Sequence, residues 1–160
     1  MVDPRLVPAD SLINELAEYI KENFKEVSPP PWALFVKTSP SRERLPIQDD
    51  WWYIRAAAIL RKLYIKQPLS VESLRTLYGG RKKFHKRMEH HHKASGAIIR
   101  KILQQLEAAG LVKKTEKGRV LTEKGQSLVS RLSSKIFKEL IKEKPELEKY
   151  LPRGGKVGGG

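Results

Sequence analysis

In four separate stretches of the chain, apolar side chains recur every three or four residues, and prolines or glycines stand in each gap between them. Such a pattern commits the chain to a set of short amphipathic helices, each forced to turn before the next begins. The first stretch is Leu12, Ile13, Leu16, Ile20 and Phe24, with Asp10 or Ser11 as its cap and Glu15, Glu18 and Glu22 on the other face. Ser28-Pro29-Pro30-Pro31 forbids helix, and Pro40 and Pro46 prolong the break, so residues 28–46 read as a surface loop with room for one short strand. The second helix is expected from Trp51 to Lys66, opened by Asp49-Asp50 and ended by Pro68. On a helical wheel Trp52, Ala56, Ile59, Leu60 and Leu63 share one face, and Trp51, Arg55, Ala58, Lys62 and Lys66 share the opposite one. One face is core; the other is an exposed basic stripe headed by an indole.

Ser70 caps a short helix ending at Tyr78, Leu69 is placed to staple onto Leu74, and Gly79-Gly80 stops it. Residues 81–93 (RKKFHKRMEHHHK) have no apolar period and read as an exposed loop. Helix resumes near Ala94, with Ile98, Ile99, Ile102, Leu103 and Leu106 inward, Ala97, Arg100, Lys101 and Gln104 outward, and Gly110 as its stop. Leu111-Val112 and Val120-Leu121 flank a basic tip, which is a hairpin, and Thr122 caps a last helix carrying Leu128, Leu132, Ile136 and Leu140. Helix, short helix, longer helix and hairpin is the order of a winged helix-turn-helix. The expected fold is therefore all-α with a small β-hairpin wing, a winged helix-turn-helix with extra N- and C-terminal helices. Residues 1–144 are expected to form the single domain. Residues 145–160 read as a flexible C-terminal tail, because the glycine-rich end PRGGKVGGG cannot bury enough surface to offset its ordering entropy.

The net charge of +14 is unevenly placed. Residues 75–119 hold thirteen Lys and Arg against three acids, whereas residues 1–50 hold six against nine. A compact body so charged repels itself unless an anion neutralises it, and a concentrated patch is the footprint expected of a nucleic-acid partner. An anionic membrane is the rival, but no run approaches the roughly 18 apolar residues of a spanning helix. The opening MVDPRLVPADSL also lacks the apolar core of a signal peptide, so a cytoplasmic location is expected. The absence of cysteine excludes disulfides and thiolate metal sites. No Ser-His-Asp order, phosphate-cradling G-x-x-x-x-G-K or paired buried acid points to catalysis, and no cofactor is expected. His85 and His90-His91-His92 invite a metal, but adjacent imidazoles point in different directions and Glu89 is the only nearby carboxylate, so none is expected there.

Several motifs carry a resemblance. Trp51-Trp52-Tyr53 with Arg55-Ala56-Ala57, Arg61-Lys62-Leu63-Tyr64, Leu77-Tyr78-Gly79-Gly80-Arg81, Ile102-Leu103-Gln104-Gln105-Leu106-Glu107 and Gly118-Arg119-Val120-Leu121-Thr122 resemble the nineteen-e family of small-subunit ribosomal proteins over roughly residues 10–142. The resemblance implies a helical domain with a wing, seated on ribosomal RNA in the head of the small subunit and needed for late maturation of that RNA. It implies RNA contacts at Trp51, Arg55 and Arg61, helped by the Tyr78-Gly79-Gly80-Arg81 turn and the Arg100-Lys101 pair. The chain departs from the family's pattern in Glu89-His90-His91-His92 and in extending past Lys144.

The residues themselves point the same way. Trp51, one turn before Arg55, offers a stacking plane beside a planar cation, unless it packs on the Pro29–Pro31 segment instead. Arg55 and Lys62 share a stripe, and no acid stands between residues 51 and 71 to make it an ordinary mixed surface. Gly79-Gly80 permits positive φ and close approach of a phosphate to the backbone, or is a plain helix stop; Arg81, Lys82, Lys83, Lys86 and Arg87 follow it. Lys113, Lys114, Lys117 and Arg119 ride the hairpin, where they touch RNA backbone or serve solubility. The expected partners are small-subunit ribosomal RNA and neighbouring small-subunit proteins, with the free protein a monomer. The alternative is a winged-helix DNA-binding regulator, which would normally be a dimer reading two half-sites.

Overall fold

The computed structural model describes residues 1–151. Its helices are α1 (Ala9–Asn23), α2 (Trp51–Ile65), α3 (Val71–Leu77), α4 (Gly96–Ala108) and α5 (Glu123–Glu143). A first antiparallel ribbon, β1 (Gly80–Lys82) with β2 (His90–His92), joins α3 to α4, and a second, β3 (Val112–Thr115) with β4 (Gly118–Leu121), joins α4 to α5. α2, α3, α4 and the β3–β4 wing form the winged helix-turn-helix, with α1 and α5 packed on it as the two added helices.

The apolar periods are the core. Leu12, Leu16 and Ile20 of α1, Trp52, Ala56, Ile59, Leu60 and Leu63 of α2, and Ile98, Ile99, Ile102, Leu103 and Leu106 of α4 are all buried in one cluster, completed by Leu128, Leu132 and Ile136 of α5. Trp52, the largest of these, is also held through its polar edge. Its indole N–H donates to Gln105 Oε1 at 2.8 Å, and Gln105 Nε2 donates to the Ser28 carbonyl at 2.7 Å, which ties the start of the proline loop to α4.

Two of the helices, α3 and α5, are opened by a side-chain cap, whereas Asp50 before α2 and Ser95 before α4 make no capping bond. Ser70 accepts from the Ser73 amide, and Thr122 accepts from the Gly125 amide while donating to the Gly110 carbonyl at 2.7 Å. α4 ends with Gly110 at φ 75°, the Leu111 amide reaching back to Leu106 O and the Gly110 amide to Glu107 O. Those are the two bonds by which a left-handed glycine satisfies the last helical carbonyls. At the wing, Leu69 and Arg119 exchange both backbone hydrogen bonds, 3.0 and 2.8 Å, so that the α2–α3 turn pairs with β4. Gly118, at φ 139°, allows this approach, because a Cβ there would lie 2.8 Å from the Leu69 carbonyl.

Four expectations change. α1 begins at Ala9 with no side-chain cap: Pro8 holds the cap position and accepts the Leu12 amide on its carbonyl at 3.2 Å, and Asp10 lies inside the first turn. Residues 28–46 contain a 3-10 turn at Pro31–Phe35 and no strand. Residues 81–93 are not an open loop: Arg81 pairs with His91 and Lys82 with His90, a ribbon built by backbone bonds with neither face in the core. Finally, Pro145–Tyr150 forms a 3-10 turn against α5, with Leu147 and Leu151 packed on the core. The remainder of the expected tail, residues 152–160, lies outside the described residues.

Candidate nucleic-acid interface

The C-terminal end of α3 places Tyr78 beneath α2, and the guanidinium of Arg55 lies 4.1 Å from the centre of its ring. Burial pushes the Tyr78 phenol up to about 12, against the opposing pull of the Arg55 and Arg61 charges. Burial likewise draws Arg55 below the usual arginine value, partly offset by Tyr78. Arg55 stays a cation at neutral pH. It is not, however, on a freely solvated stripe: α2 lies close enough to Tyr78 and the 38–48 segment that the guanidinium is half-buried. Tyr78 Oη and Arg61 Nε are both buried without a hydrogen-bond partner among the described residues.

Trp51 stands half-buried at the head of the same face. It meets Trp52 edge-on, ring centres 5.3 Å apart, whereas Trp32, beside Pro31, covers Trp52 at 5.7 Å. The proline segment thus shields Trp52, and Trp51 turns toward a cleft of about 710 Å³ between α2 and residues 38–48. Trp51, Arg55 and Tyr78 line it from one side, and Arg42, Arg44 and Ile47 from the other. The far wall is anchored by the Ser95 amide bonded to the Thr38 carbonyl at 3.0 Å, and by Ser39, which is buried and bonded to Ser41 at 2.8 Å. Sequence reasoning missed Arg42 and Arg44. The only trace of them is a basic pair in Arg42-Glu43-Arg44, in a loop with no period to orient it.

The remaining candidate residues fall into three places. Lys62 is half-buried on α2, and Arg81, Lys83, Lys86 and Arg87 stand exposed along the β1–β2 ribbon. Lys82 Nζ lies 4.8 Å over the Phe84 ring, which meets His92 edge-on at 5.2 Å. Gly79 and Gly80 adopt no positive φ, and protein already fills the space their missing Cβ would take. A Cβ on Gly79 would lie 2.4 Å from the His92 carbonyl oxygen, and one on Gly80 would lie 2.7 Å from Ser41 Oγ. Their small size serves the ribbon and the loop. Arg100 and Lys101 are exposed on α4, and Lys114 is exposed on the wing; none of the three lines the cleft. Arg119 is engaged internally, its Nε 2.8 Å from Glu107 Oε1 and its side chain 16% exposed. Among the described residues no group of three or more His, Cys, Asp and Glu could hold a metal ion, and no helix is long and apolar enough to cross a membrane.

Fold and charge together define a basic winged-helix protein with a cationic, aromatic cleft beside its second helix. The chain belongs to the ribosomal protein S19e family, whose model matches residues 4–139. It is 50% identical over 153 residues to small ribosomal subunit protein eS19 of Aeropyrum pernix, covering 94% of this chain and 100% of that protein. The eS19 of Thermoplasma volcanium is 44% identical over 153 residues, with the same two coverages. That of Haloarcula marismortui is 40% identical over 149 residues, covering 90% and 95%.

Proposed function

We propose that the chain is a structural, non-catalytic component of the small ribosomal subunit in the cytoplasm, and that it binds ribosomal RNA in the head region. In this role it supports maturation and assembly of the subunit, makes contacts with neighbouring small-subunit proteins, and is a monomer when free. Family membership supports the ribosomal setting. The observation that carries RNA binding is the run of cations from the α2 face through Tyr78 onto the β1–β2 ribbon: Arg55, Arg61, Lys62, Arg81, Lys82, Lys83, Lys86 and Arg87, with Glu89 the only acid on the ribbon. Phosphates neutralise such a run, and the half-buried Trp51 and Tyr78 add planar surface for unpaired bases. Arg100, Lys101 and Lys114 are peripheral contacts, and Arg119 acts through its pair with Glu107, which fixes the wing to α4. A DNA-reading winged helix would place its ligand on the outer face of α4, whereas the cleft here belongs to α2.

The test is a titration of the protein with small-subunit ribosomal RNA fragments over a salt series. Neutralising several phosphates makes log K fall with log salt at a slope of roughly 0.7–0.9 per contact. Reversing Lys83, Lys86 and Arg87 to Glu is expected to cut that slope by about two and to keep the protein out of small subunits on a gradient. An unchanged slope with normal sedimentation would count against the reading.

A further inference from the structure

The cleft between α2 and residues 38–48 has more in it than phosphate binding requires. Phosphates need cations and backbone amides; they gain nothing from an apolar wall. Yet Ile47 is 90% exposed and Leu45 is 45% exposed on the cleft's rim, and Trp51 supplies a half-buried indole to its floor. Large apolar side chains held in water beside a preformed concavity are the usual sign of a ligand that covers them. The cations say which ligand. Arg42 and Arg44 stand exposed on the rim, and the Arg55 guanidinium lies over the Tyr78 ring, so the cleft joins planar surfaces to positive charge. The open cleft, about 710 Å³, lies within the size range of small-ligand sites.

The geometry points to a single unstacked nucleotide, its base inserted between Trp51 and the Ile47 rim and its flanking phosphates on Arg42 and Arg44. This rests on the RNA-binding reading above and sharpens it: the protein recognises a bulged or looped-out position, not merely a charged surface. Side chains cannot read the deep, narrow major groove of paired RNA, so recognition of a particular place in a folded RNA goes through splayed-out bases on aromatic and guanidinium planes.

The test uses the full chain and two RNA hairpins of equal charge, one fully paired and one with a single bulged 2-aminopurine, at one salt concentration. The unmodified protein is expected to favour the bulged hairpin roughly tenfold and to quench its fluorescence, as stacking of one base implies. Ala58→Phe fills the cleft without altering charge. Ile47→Ser strips the rim at a side chain too exposed to matter for folding. Each is expected to weaken the bulged hairpin at least about fivefold and to leave the paired one unaffected. Equal affinity for both hairpins, with no quenching, overturns the base-binding proposal while leaving the charge-based reading intact; binding to neither overturns both. Variants that bind the bulged hairpin normally but fail to enter small subunits would mean that the cleft takes a protein side chain, and the proposal falls.

Discussion

The guanidinium of Arg55 and the ring of Tyr78 form a stacked pair, 4.1 Å apart, that locks α2 to the end of α3. A partly desolvated pair of this kind contributes about 1–2 kcal/mol, and the arginine stem adds packing. Arg55→Ala is therefore expected to fold, with its unfolding free energy from urea titration lowered by that amount. Arg55→Lys keeps the charge but loses the planar fork. It is expected to regain part of the stability and little of the RNA affinity; full recovery of RNA binding by lysine would show that charge alone matters there.

Tyr78 makes the fold sensitive to alkali. Its phenol is raised from 10.0 to about 12 by burial. Below pH 10 both folded and unfolded chains hold the proton, and the contribution is whole. Between about 10 and 12 only the unfolded chain releases it, so stability falls with rising pH, by on the order of 2–3 kcal/mol across the window. Tyr78→Phe removes this slope. It also removes a buried hydroxyl with no partner among the described residues, so at pH 7 the variant is expected to be at least as stable as the parent. Urea titrations of both proteins at pH 8, 10 and 11.5 separate the two effects.

The Trp52–Gln105–Ser28 bridge predicts a different pattern. Trp52→Ala truncates a fully buried side chain and is expected to cost about 3–5 kcal/mol. Gln105→Ala leaves the core filled but strands the indole N–H of Trp52, at about 1–3 kcal/mol, while the exposed Ser28 carbonyl turns to water. If the two act through one bridge, the double variant Trp52→Phe, Gln105→Leu is expected to be less destabilised than the sum of its singles. Additivity in equilibrium unfolding would show that they are independent.

How much of this was legible in the sequence depends on what each feature is made of. Burial is a property of side chains, so the faces of α1, α2, α4 and α5 could be read from Leu12, Trp52, Ile98, Leu128 and their repeats. Caps built from one side chain or one glycine, at Ser70, Thr122 and Gly110, were equally visible. The β1–β2 ribbon was not, because its three-residue strands pair through backbone, and Arg81 opposite His91 leaves no apolar trace. The cleft was half legible. Trp51, Arg55 and Tyr78 share motifs, but Arg42 and Arg44 reach them only because Thr38 and Ser41 are held by Ser95 and the bare backbone of Gly80, contacts that span 39 to 57 residues. The same holds in reverse for Arg119, which looks free in the sequence until the wing folds it onto Glu107.

Gly79 offers the sharpest separation between a phosphate-binding glycine and a structural one. Its φ is ordinary, so alanine carries no backbone strain there; what forbids alanine is the His92 carbonyl oxygen, 2.4 Å from the added Cβ. Carbonyl oxygen on a paired strand cannot rotate away as a side chain can. Gly79→Ala is thus expected to leave the α-helical core intact, with unchanged far-ultraviolet dichroism, while shifting or detaching β2. Backbone amide resonances and hydrogen exchange at His90–His92 would report it. Trimming the neighbouring ring with His91→Ala should not restore the ribbon, since that ring, 2.8 Å away, is the lesser obstacle. If Gly79→Ala instead keeps the ribbon's exchange protection and loses only RNA affinity, the glycine's role is to admit a phosphate, and the packing account is wrong.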